Sequence, residues 1–292
     1  MVGAWVLFGV VVMLLVVAVL RRRRGGGEPA PDGEAPSERR SHRLVLLGGV
    51  VAPILVLSAL FAAGVRTLPA TSAPKRGSTA LTLQVTGHQW FWEVRYRGTR
   101  AVTANEIHIP ARTRVRVEVR TADVIHSFWV PELNRKIDTI PGRTNSIVLE
   151  ADRPGVYRGQ CAEFCGLQHA NMGMYVFADP PARFRAWLAN QSKPARRPAD
   201  AHERAGLQVF LGAGCATCHT IRGTPASGDV GPDLTHLADR TTLAALTIPN
   251  RPGYLGGWIL DPQHVKPGNR MPGLDLDGTQ LQALLDYLTK LR

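Results

Sequence analysis

The chain has 292 residues, enough for two modest globular domains together with a membrane segment. Its hydrophobic fraction of 45% is ordinary for a folded protein. The formal net charge of +12 could indicate a nucleic-acid-binding protein. Residues 201–292, however, are neutral, with 8 basic and 8 acidic residues. No folded region concentrates the basic residues into a groove, so the charge argues against a nucleic-acid partner.

Two uncharged apolar runs lie near the beginning of the chain. Residues 2–20 and 44–65 contain 19 and 22 residues without a charge, and about 20 helical residues cross a hydrocarbon core of roughly 30 Å. A cleaved signal peptide is the alternative for the first run. Such peptides carry positive charge before the apolar stretch, whereas Arg21–Arg24 follow it here. We therefore expect a two-helix transmembrane hairpin over residues 1–66, in contact with membrane lipid.

The segment between the two runs predicts the topology. Residues 21–43 hold seven Arg against four acidic residues, and an excess of Arg marks a cytoplasmic loop. Both termini, and everything after residue 65, are then expected on the outer, periplasmic side of a bacterial inner membrane. The protein is thus predicted to be a multi-pass protein of the cell membrane.

Residues 78–180 have the composition of an all-β domain. They follow a Pro/Ser/Thr-rich tether at 66–79 and contain short runs rich in β-branched and aromatic residues, separated by Pro and Gly. Residues 114–120 alternate strictly between polar and apolar, which indicates a half-buried strand. The pattern predicts a sandwich or barrel. The expected strands are 81–85, 90–96, 114–120, 146–151, 156–160 and 174–177.

The remainder is predicted to be a linker followed by a small all-α domain. Residues 181–202 combine a short helix at 181–191 with a flexible, basic and Pro-containing stretch. The domain at 203–292 is expected to contain a helix at 205–214, a short helix at 254–260 and a final amphipathic helix. Leu281, Leu284, Leu285, Leu288 and Leu291 give that last helix its apolar stripe, and Asp277 is a plausible N-cap.

The four cysteines fall into two ligand motifs. In the first, Cys161, Cys165, His169 and Met172 lie within 12 residues. Thiolates with imidazole select copper, and a methionine is a known weak axial ligand of copper. A disulfide would leave His169 and Met172 unexplained, and methionine is a poor zinc ligand, so copper is the favoured metal.

The second motif is Cys215-Ala-Thr-Cys218-His219. C-x-x-C-H attaches c-type haem through two thioethers, with His219 as the proximal ligand. A thioredoxin-like site is the competing interpretation, but it requires a βαβ surround that the sequence does not indicate. The sixth ligand is predicted to be Met271, 52 residues past His219. His236 and His264 are alternatives, expected to be surface residues.

The first motif resembles cytochrome c oxidase subunit II, a family of the haem–copper terminal oxidase superfamily, and the resemblance extends over residues 1–180. The second motif with its helices resembles a class I cytochrome c fused behind it. The resemblance implies a cupredoxin-like fold and a dinuclear copper site. Cys161 and Cys165 would bridge two coppers, with His126, in the segment 123–127, and His169 as terminal ligands. Met172 and the Glu163 carbonyl would be weak ligands.

Further roles follow from the same resemblance. The Glu163 carboxylate would face a magnesium ion shared with the large subunit. Residues 87–96 and 136–145 match family segments. The residue type alone favours a buried core aromatic at Trp90, but the resemblance places it at the position of the electron-entry tryptophan. Pro232 resembles the proline whose carbonyl orients the proximal imidazole.

The implied function is electron transfer within a cytochrome c oxidase. Electrons would pass from an external donor, a cytochrome or a quinol-oxidising complex, through haem c and copper to subunit I, which reduces O2 to water. Subunit III is a further expected partner. A subunit of a membrane nitric oxide reductase and a stand-alone membrane-tethered carrier are the alternatives. A quinol oxidase subunit would lack the copper ligands that are present here.

Two features depart from the family. Many members carry a carboxylate, used as a proton entrance, about seven residues before a proline of the second span; counting back from Pro53 gives Leu46. Another subunit supplies that group, or this branch lacks it. The β domain is also basic, with 14 basic and 10 acidic residues between positions 75 and 180. A tethered haem at millimolar effective concentration would replace docking of a soluble donor on an acidic patch.

Overall fold

The computed structural model describes residues 2–24, 42–43, 45–71, 79 and 81–292. It divides into two units, Met1–Arg66 and Thr67–Arg292. Residues 25–41 of the predicted cytoplasmic loop and residues 72–78 of the predicted tether lie outside the described residues. The predicted topology therefore remains a prediction.

The N-terminal unit is helical. Helix α1 spans Val2–Arg24, and a π-helical turn at Leu47–Val51 leads into α2, Ala52–Thr71. The turn immediately precedes Pro53, which has no N–H to donate to the preceding turn, and a π turn accommodates that loss. The continuous helix Leu47–Leu68 has 22 residues and a mean hydropathy of 2.2, and none of its most apolar window is buried.

Among the described residues, Leu47–Leu68 is the one helix long and apolar enough to cross a membrane. The apolar part of α1 that the structure describes, Phe8–Ala18, is shorter. The prediction of two spans is thus supported for the second span, while the hairpin as a whole is not established.

The β domain is a sandwich of two five-stranded sheets, as predicted. One sheet has the order β3-β2-β1-β5-β8 and the other β4-β10-β9-β6-β7. The pairs β1/β5 and β4/β10 are parallel and the other pairs are antiparallel. The strands are β1 Thr82–His88, β2 Phe91–Tyr96, β3 Val102–Ala104, β4 Glu106–Pro110, β5 Val115–Thr121, β6 His126–Trp129, β7 Ile137–Thr139, β8 Asn145–Leu149, β9 Gly155–Cys161 and β10 Gly173–Asp179.

Alternation along β5 builds part of the sandwich core. Val115, Val117 and Val119 are fully buried, and each buried valine contributes about 1.5–3 kcal/mol relative to exposure. The predicted alternation fails at Glu118, which is also buried. Its carboxylate forms ion pairs with Arg97 and Arg116, at 2.9 and 3.3 Å, and these offset the cost of removing the charge from water.

The segment 181–202 is packed against its neighbours rather than extended as a flexible chain. Helix α3, Pro181–Gln191, lies on the β domain, where Trp187 stacks on His108 with ring centroids 4.1 Å apart. Further on, the Ala195 N–H donates to the Arg222 carbonyl at 2.8 Å, and Arg196 pairs with Glu203. The segment therefore connects the two domains while being held at both ends.

The C-terminal domain is helical, with one two-stranded ribbon. Its elements are α4 Ala201–Gly212, α5 Cys215–Cys218, β11 Thr242–Leu243, β12 Ile248–Pro249, α6 Pro252–Leu260, α7 Pro262–Val265 and α8 Gly278–Leu288. Asp277 caps α8 through a capping box with Gln280, as the sequence predicted. Helices α4 and α8 cross at Gly206, where an added Cβ would lie 2.1 Å from the Ala283 carbonyl oxygen. Glycine is thus required for this close approach.

Candidate metal centres

Two neighbouring strands carry the first ligands of the copper motif. His126 begins β6 and Cys161 ends β9, and these strands pair with Phe128 opposite Cys161. Cys165, His169 and Met172 follow on the loop between β9 and β10. The sheet therefore brings His126 to a loop that follows it by more than 30 residues.

All six predicted groups face one small volume. The Cys161 and Cys165 sulfurs are 3.8 Å apart. Cys161 Sγ lies 3.9 Å from His126 Nδ1 and 3.2 Å from the Glu163 carbonyl oxygen. Cys165 Sγ lies 3.6 Å from His169 Nδ1 and 3.8 Å from Met172 Sδ. Each sulfur thus has its own imidazole and its own weak donor.

These distances fit metal coordination better than a disulfide. A disulfide requires about 2.05 Å between sulfurs, and both cysteines are free and buried. Two ligands bound to one ion at about 2.0–2.3 Å are about 3.5 Å apart at a tetrahedral angle, close to the sulfur–nitrogen distances observed. The sulfur-rich donor set with two imidazoles is one that suits copper.

The two thiols cannot easily ionise together without a cation. The hydrogen bond with Cys165 lowers the pKa of Cys161, and His126 lowers it further. The same Cys161 neighbour raises the pKa of Cys165, because a second thiolate would lie beside the first. A bound metal ion removes this repulsion and holds both sulfurs deprotonated.

The orientation of His126 depends on Asp123, which the sequence analysis did not assign a role. Asp123 Oδ1 lies 2.8 Å from His126 Nε2, and Oδ2 accepts the Gln89 N–H at 2.7 Å. Burial alone would raise the pKa of Asp123, but the hydrogen bonds from His126 and the Gln89 N–H lower it to about 2. The occupied Nε2 leaves Nδ1 facing the sulfur. The sequence feature that could have indicated this role is the position of Asp123, three residues before His126.

The haem motif lines a cavity of about 320 Å³. Cys215 and Cys218 lie on α5, and Met271 and His219 contribute to the same cavity. His219 Nδ1 donates to the Pro232 carbonyl at 2.8 Å, which leaves Nε2 available to iron. The ring is held closely, because a Cβ on Gly231 would lie 2.5 Å from it.

The alternative sixth ligands lie elsewhere. His236 and His264 are not among the residues that line the cavity, whereas Met271 is. His236 was expected at the surface, and that expectation is wrong: it is 4% exposed, with Nε2 3.1 Å from the Lys193 carbonyl. His264 is exposed, as expected. The rest of the cavity is largely apolar, with Phe210, Leu237, Leu255, Ile259, Leu284 and Leu288 among its lining residues.

Trp90 lies between the two centres. Its side chain is 9% exposed, and its indole N–H donates to the Cys165 carbonyl at 2.9 Å. The same residue lines the haem cavity. Trp90 is therefore a buried aromatic that also contacts both candidate cofactor sites.

Comparison with known proteins agrees with this architecture of a β domain with a copper motif fused to a haem-binding α domain. Residues 99–178 match the family described as cytochrome c oxidase subunit II, periplasmic domain, and residues 204–292 match cytochrome c. These matches imply copper in the first domain and haem in the second.

Full-length relatives share both parts. The chain is 35% identical to cytochrome c oxidase subunit 2 of Alkalihalophilus pseudofirmus, over 89% of this chain and 77% of the relative. It is 31% identical to that of Bacillus sp. strain PS3, over 86% and 75%. A solved periplasmic domain of subunit II from Bradyrhizobium japonicum is 32% identical, covering 41% of this chain and 96% of that one, with a TM-score of 0.39.

The chain therefore belongs to the cytochrome c oxidase subunit II family. It is an electron-transfer subunit of that oxidoreductase, with its own cytochrome c domain.

Proposed function

We propose that the chain relays electrons in the order haem, Trp90, copper, and then to a separate catalytic subunit that reduces O2 to water. The main support for this order is the position of Trp90, which borders the haem cavity on one side and donates to the Cys165 carbonyl on the other. A conjugated side chain in this position shortens the gap between the centres. In this proposal the chain conducts electrons, and the partner subunit carries out the oxygen chemistry.

The copper donors have distinct proposed roles. Cys161 and Cys165 would hold the two ions between them, His126 and His169 would each bind one ion, and Met172 and the Glu163 carbonyl would be weak ligands. Support comes from the pairing of each sulfur with one imidazole, at 3.9 and 3.6 Å. When bound, the copper pair supplies a one-electron carrier, and the rigid β scaffold keeps its ligands in place as the charge changes.

Two further ligands are proposed beside these. Met271 would be the sixth haem ligand, with His219 as the proximal one, because both line the haem cavity and the two alternative histidines do not. The exposed carboxylate of Glu163 is the group that would meet a magnesium ion at the boundary with the large subunit.

The chain is proposed to be anchored by a two-helix hairpin, with its soluble domains on the periplasmic side. Helix Leu47–Leu68 has the length and hydropathy of a span, and the described apolar side chains of α1 are exposed as well. The partners of such a hairpin are lipid, the large catalytic subunit and subunit III. The upstream donor is a cytochrome or a quinol-oxidising complex that reduces the haem.

Kinetics on the complex purified in mild detergent test the relay. We expect two copper ions and one covalent haem per chain, and oxygen uptake rather than nitric oxide consumption. Trp90→Phe should slow haem-to-copper transfer several-fold in rapid-mixing or flash experiments without changing either spectrum, because Trp90 ligates no metal and only its contact to Cys165 is lost.

The matched control is Trp258→Phe. Trp258 also lines the haem cavity but lies on α6 within the cytochrome domain, so its replacement should leave the transfer rate unchanged. Equal slowing by both variants, or none by Trp90→Phe, would remove Trp90 from the path.

A further inference from the structure

A lysine of the cytochrome domain is buried against the copper domain. Lys266, directly after α7, is 3% exposed. Its ammonium donates to the carbonyl oxygens of Trp90 at 2.8 Å, Asn171 at 2.8 Å and Ala244 at 3.1 Å. An ammonium has three N–H donors and no acceptor, so the three carbonyls satisfy it completely.

Such a placement is unusual for lysine. Lysine is among the residues least often buried, because the charge loses its hydration. Burial lowers the pKa of Lys266 to about 7, and the nearby Cys165 opposes this shift. The hydrogen bonds offset part of this cost, and two of the three join different domains.

The two interdomain acceptors lie on the proposed electron path. One is the carbonyl of Trp90 itself, and the other belongs to Asn171, the residue before the copper donor Met172. Lys266 also lines the haem cavity. A single side chain therefore contacts the bridge, the copper loop and the wall of the haem site.

Neighbouring contacts align the same surfaces. Gln168 Nε2 donates to the Pro267 carbonyl at 2.7 Å, and Arg270 donates to Gln89 Oε1 at 3.1 Å. At a separate point, the buried carboxylate of Glu106 accepts the Thr241 and Thr242 N–H groups at 2.8 and 3.0 Å. The domains are thus held together at several places, which also include Arg222 donating to the Arg100 carbonyl at 2.8 Å. Lys266 is the contact located beside both candidate cofactor sites.

We propose that Lys266 is a positioning residue that fixes the haem cavity against Trp90 and thereby sets the rate of haem-to-copper electron transfer. The proposal rests on the relay described above. The residue touches no reacting atom, and it acts through the backbone of Trp90 and of the copper loop.

The test compares Lys266→Met with Lys290→Met in the assembled oxidase. Methionine retains an apolar stem but removes all three donors, whereas Lys290 is exposed at the end of the chain. Losing charge-assisted bonds across the interface should slow haem-to-copper transfer about tenfold. Reduction of the haem by its donor and both visible spectra should remain those of the wild type, and Lys290→Met should change nothing. Because Lys266→Met also removes a charge near both centres, both midpoint potentials are measured and the transfer rates are compared after correction for driving force.

The possible outcomes distinguish failure of the proposed relay from failure of the positioning role of Lys266. Absence of a haem-to-copper phase in the wild type would overturn the relay itself. A normal phase in both the wild type and Lys266→Met would overturn only the positioning role. A slower rate that the measured change in the two midpoint potentials accounts for would also overturn it, because Lys266 would then act only through its charge.

A second variant, Lys266→Gln, tests the proposal if Lys266→Met fails to assemble into the oxidase. Lys266→Gln keeps an amide donor and loses the charge. We therefore expect a transfer rate between those of Lys266→Met and the wild type. If Lys266→Met does not assemble, the rate of Lys266→Gln should still be below that of the wild type. A wild-type rate in Lys266→Gln with intact spectra would count against the proposal.

Discussion

Two of the three candidate metal-binding histidines, His126 and His219, are oriented by an acceptor on the ring nitrogen that faces away from the metal site. His126 is held by the Asp123 carboxylate at 2.8 Å, and His219 by the Pro232 carbonyl at 2.8 Å. Burial lowers the pKa of His219, and its hydrogen bond to Pro232 opposes that shift. A neutral imidazole with one nitrogen occupied presents the other to a metal. The two sites thus use the same device, with a carboxylate at one and a backbone carbonyl at the other.

The residue opposite His219 is open to a direct test. Met271→Ala should leave the haem covalently attached, because Cys215 and Cys218 are untouched. The haem should become partly high-spin and accessible to added ligands, with a lower midpoint potential, since methionine ligation raises the potential. Visible spectra with a potentiometric titration measure both changes.

The control for this variant is His264→Ala. His264 is exposed and lies outside the cavity wall, so its spectrum should match that of the wild type. An unchanged spectrum in Met271→Ala would instead reassign the sixth ligand to His236 or His264.

At the scale of elements, the cytochrome domain depends on the crossing of α4 and α8. Gly206→Ala would place a Cβ 2.1 Å from the Ala283 carbonyl oxygen and 2.7 Å from Tyr287 Cβ. Because backbone is one of the two neighbours, the helices must separate, and we expect a loss of about 1–3 kcal/mol in the free energy of unfolding. Denaturation followed by haem absorbance measures it.

Gly212 provides the matched control in the same helix. Nothing lies within 4 Å of a Cβ at this position, so Gly212→Ala should be neutral or stabilising by up to about 1 kcal/mol. Similar losses in both variants would show that the cost of Gly206→Ala does not come from the helix crossing.

The sequence predicted the long elements and missed the short ones. The strands now numbered β1, β2, β5, β8, β9 and β10 were expected within a few residues of their observed bounds. Strands β3, β4, β6 and β7 were not, because runs of 3 to 5 residues are too short for alternation to be distinguished from a loop. The strand that carries His126 is one of these, which is why that ligand came only from the family resemblance.

Much of the candidate site is local in sequence, and that part was predictable. The copper loop and the C-x-x-C-H motif each place their donors within a few residues. Asp123 also lies only three residues before its partner His126, so its role could have been predicted. Lys266 could not be assigned in this way, because only the folded structure brings it to Trp90, 176 positions away.

The whole molecule differs from a pair of domains on a flexible tether. An effective concentration in the millimolar range describes a domain that samples many positions. Here the two domains belong to one compact unit, and Lys266 and Glu106 bind across their boundary with buried, fully hydrogen-bonded charges. In the proposed relay, this fixed geometry between the two sites would replace repeated docking of a soluble carrier.

Removal of residues 201–292 tests the direction of electron flow. The β-domain core is a separate cluster, and the last residue packed against it is Leu188. The copper site should therefore survive the deletion, and a small artificial reductant should still drive oxygen uptake. Turnover with the physiological donor should fall about a hundredfold or more, because the tethered haem that replaced soluble docking is gone. Oxygen uptake with each reductant, and the copper spectrum of the truncated oxidase, provide the measurement. If the physiological rate survives the deletion, the haem domain is a side branch, and electrons enter at the copper site without it.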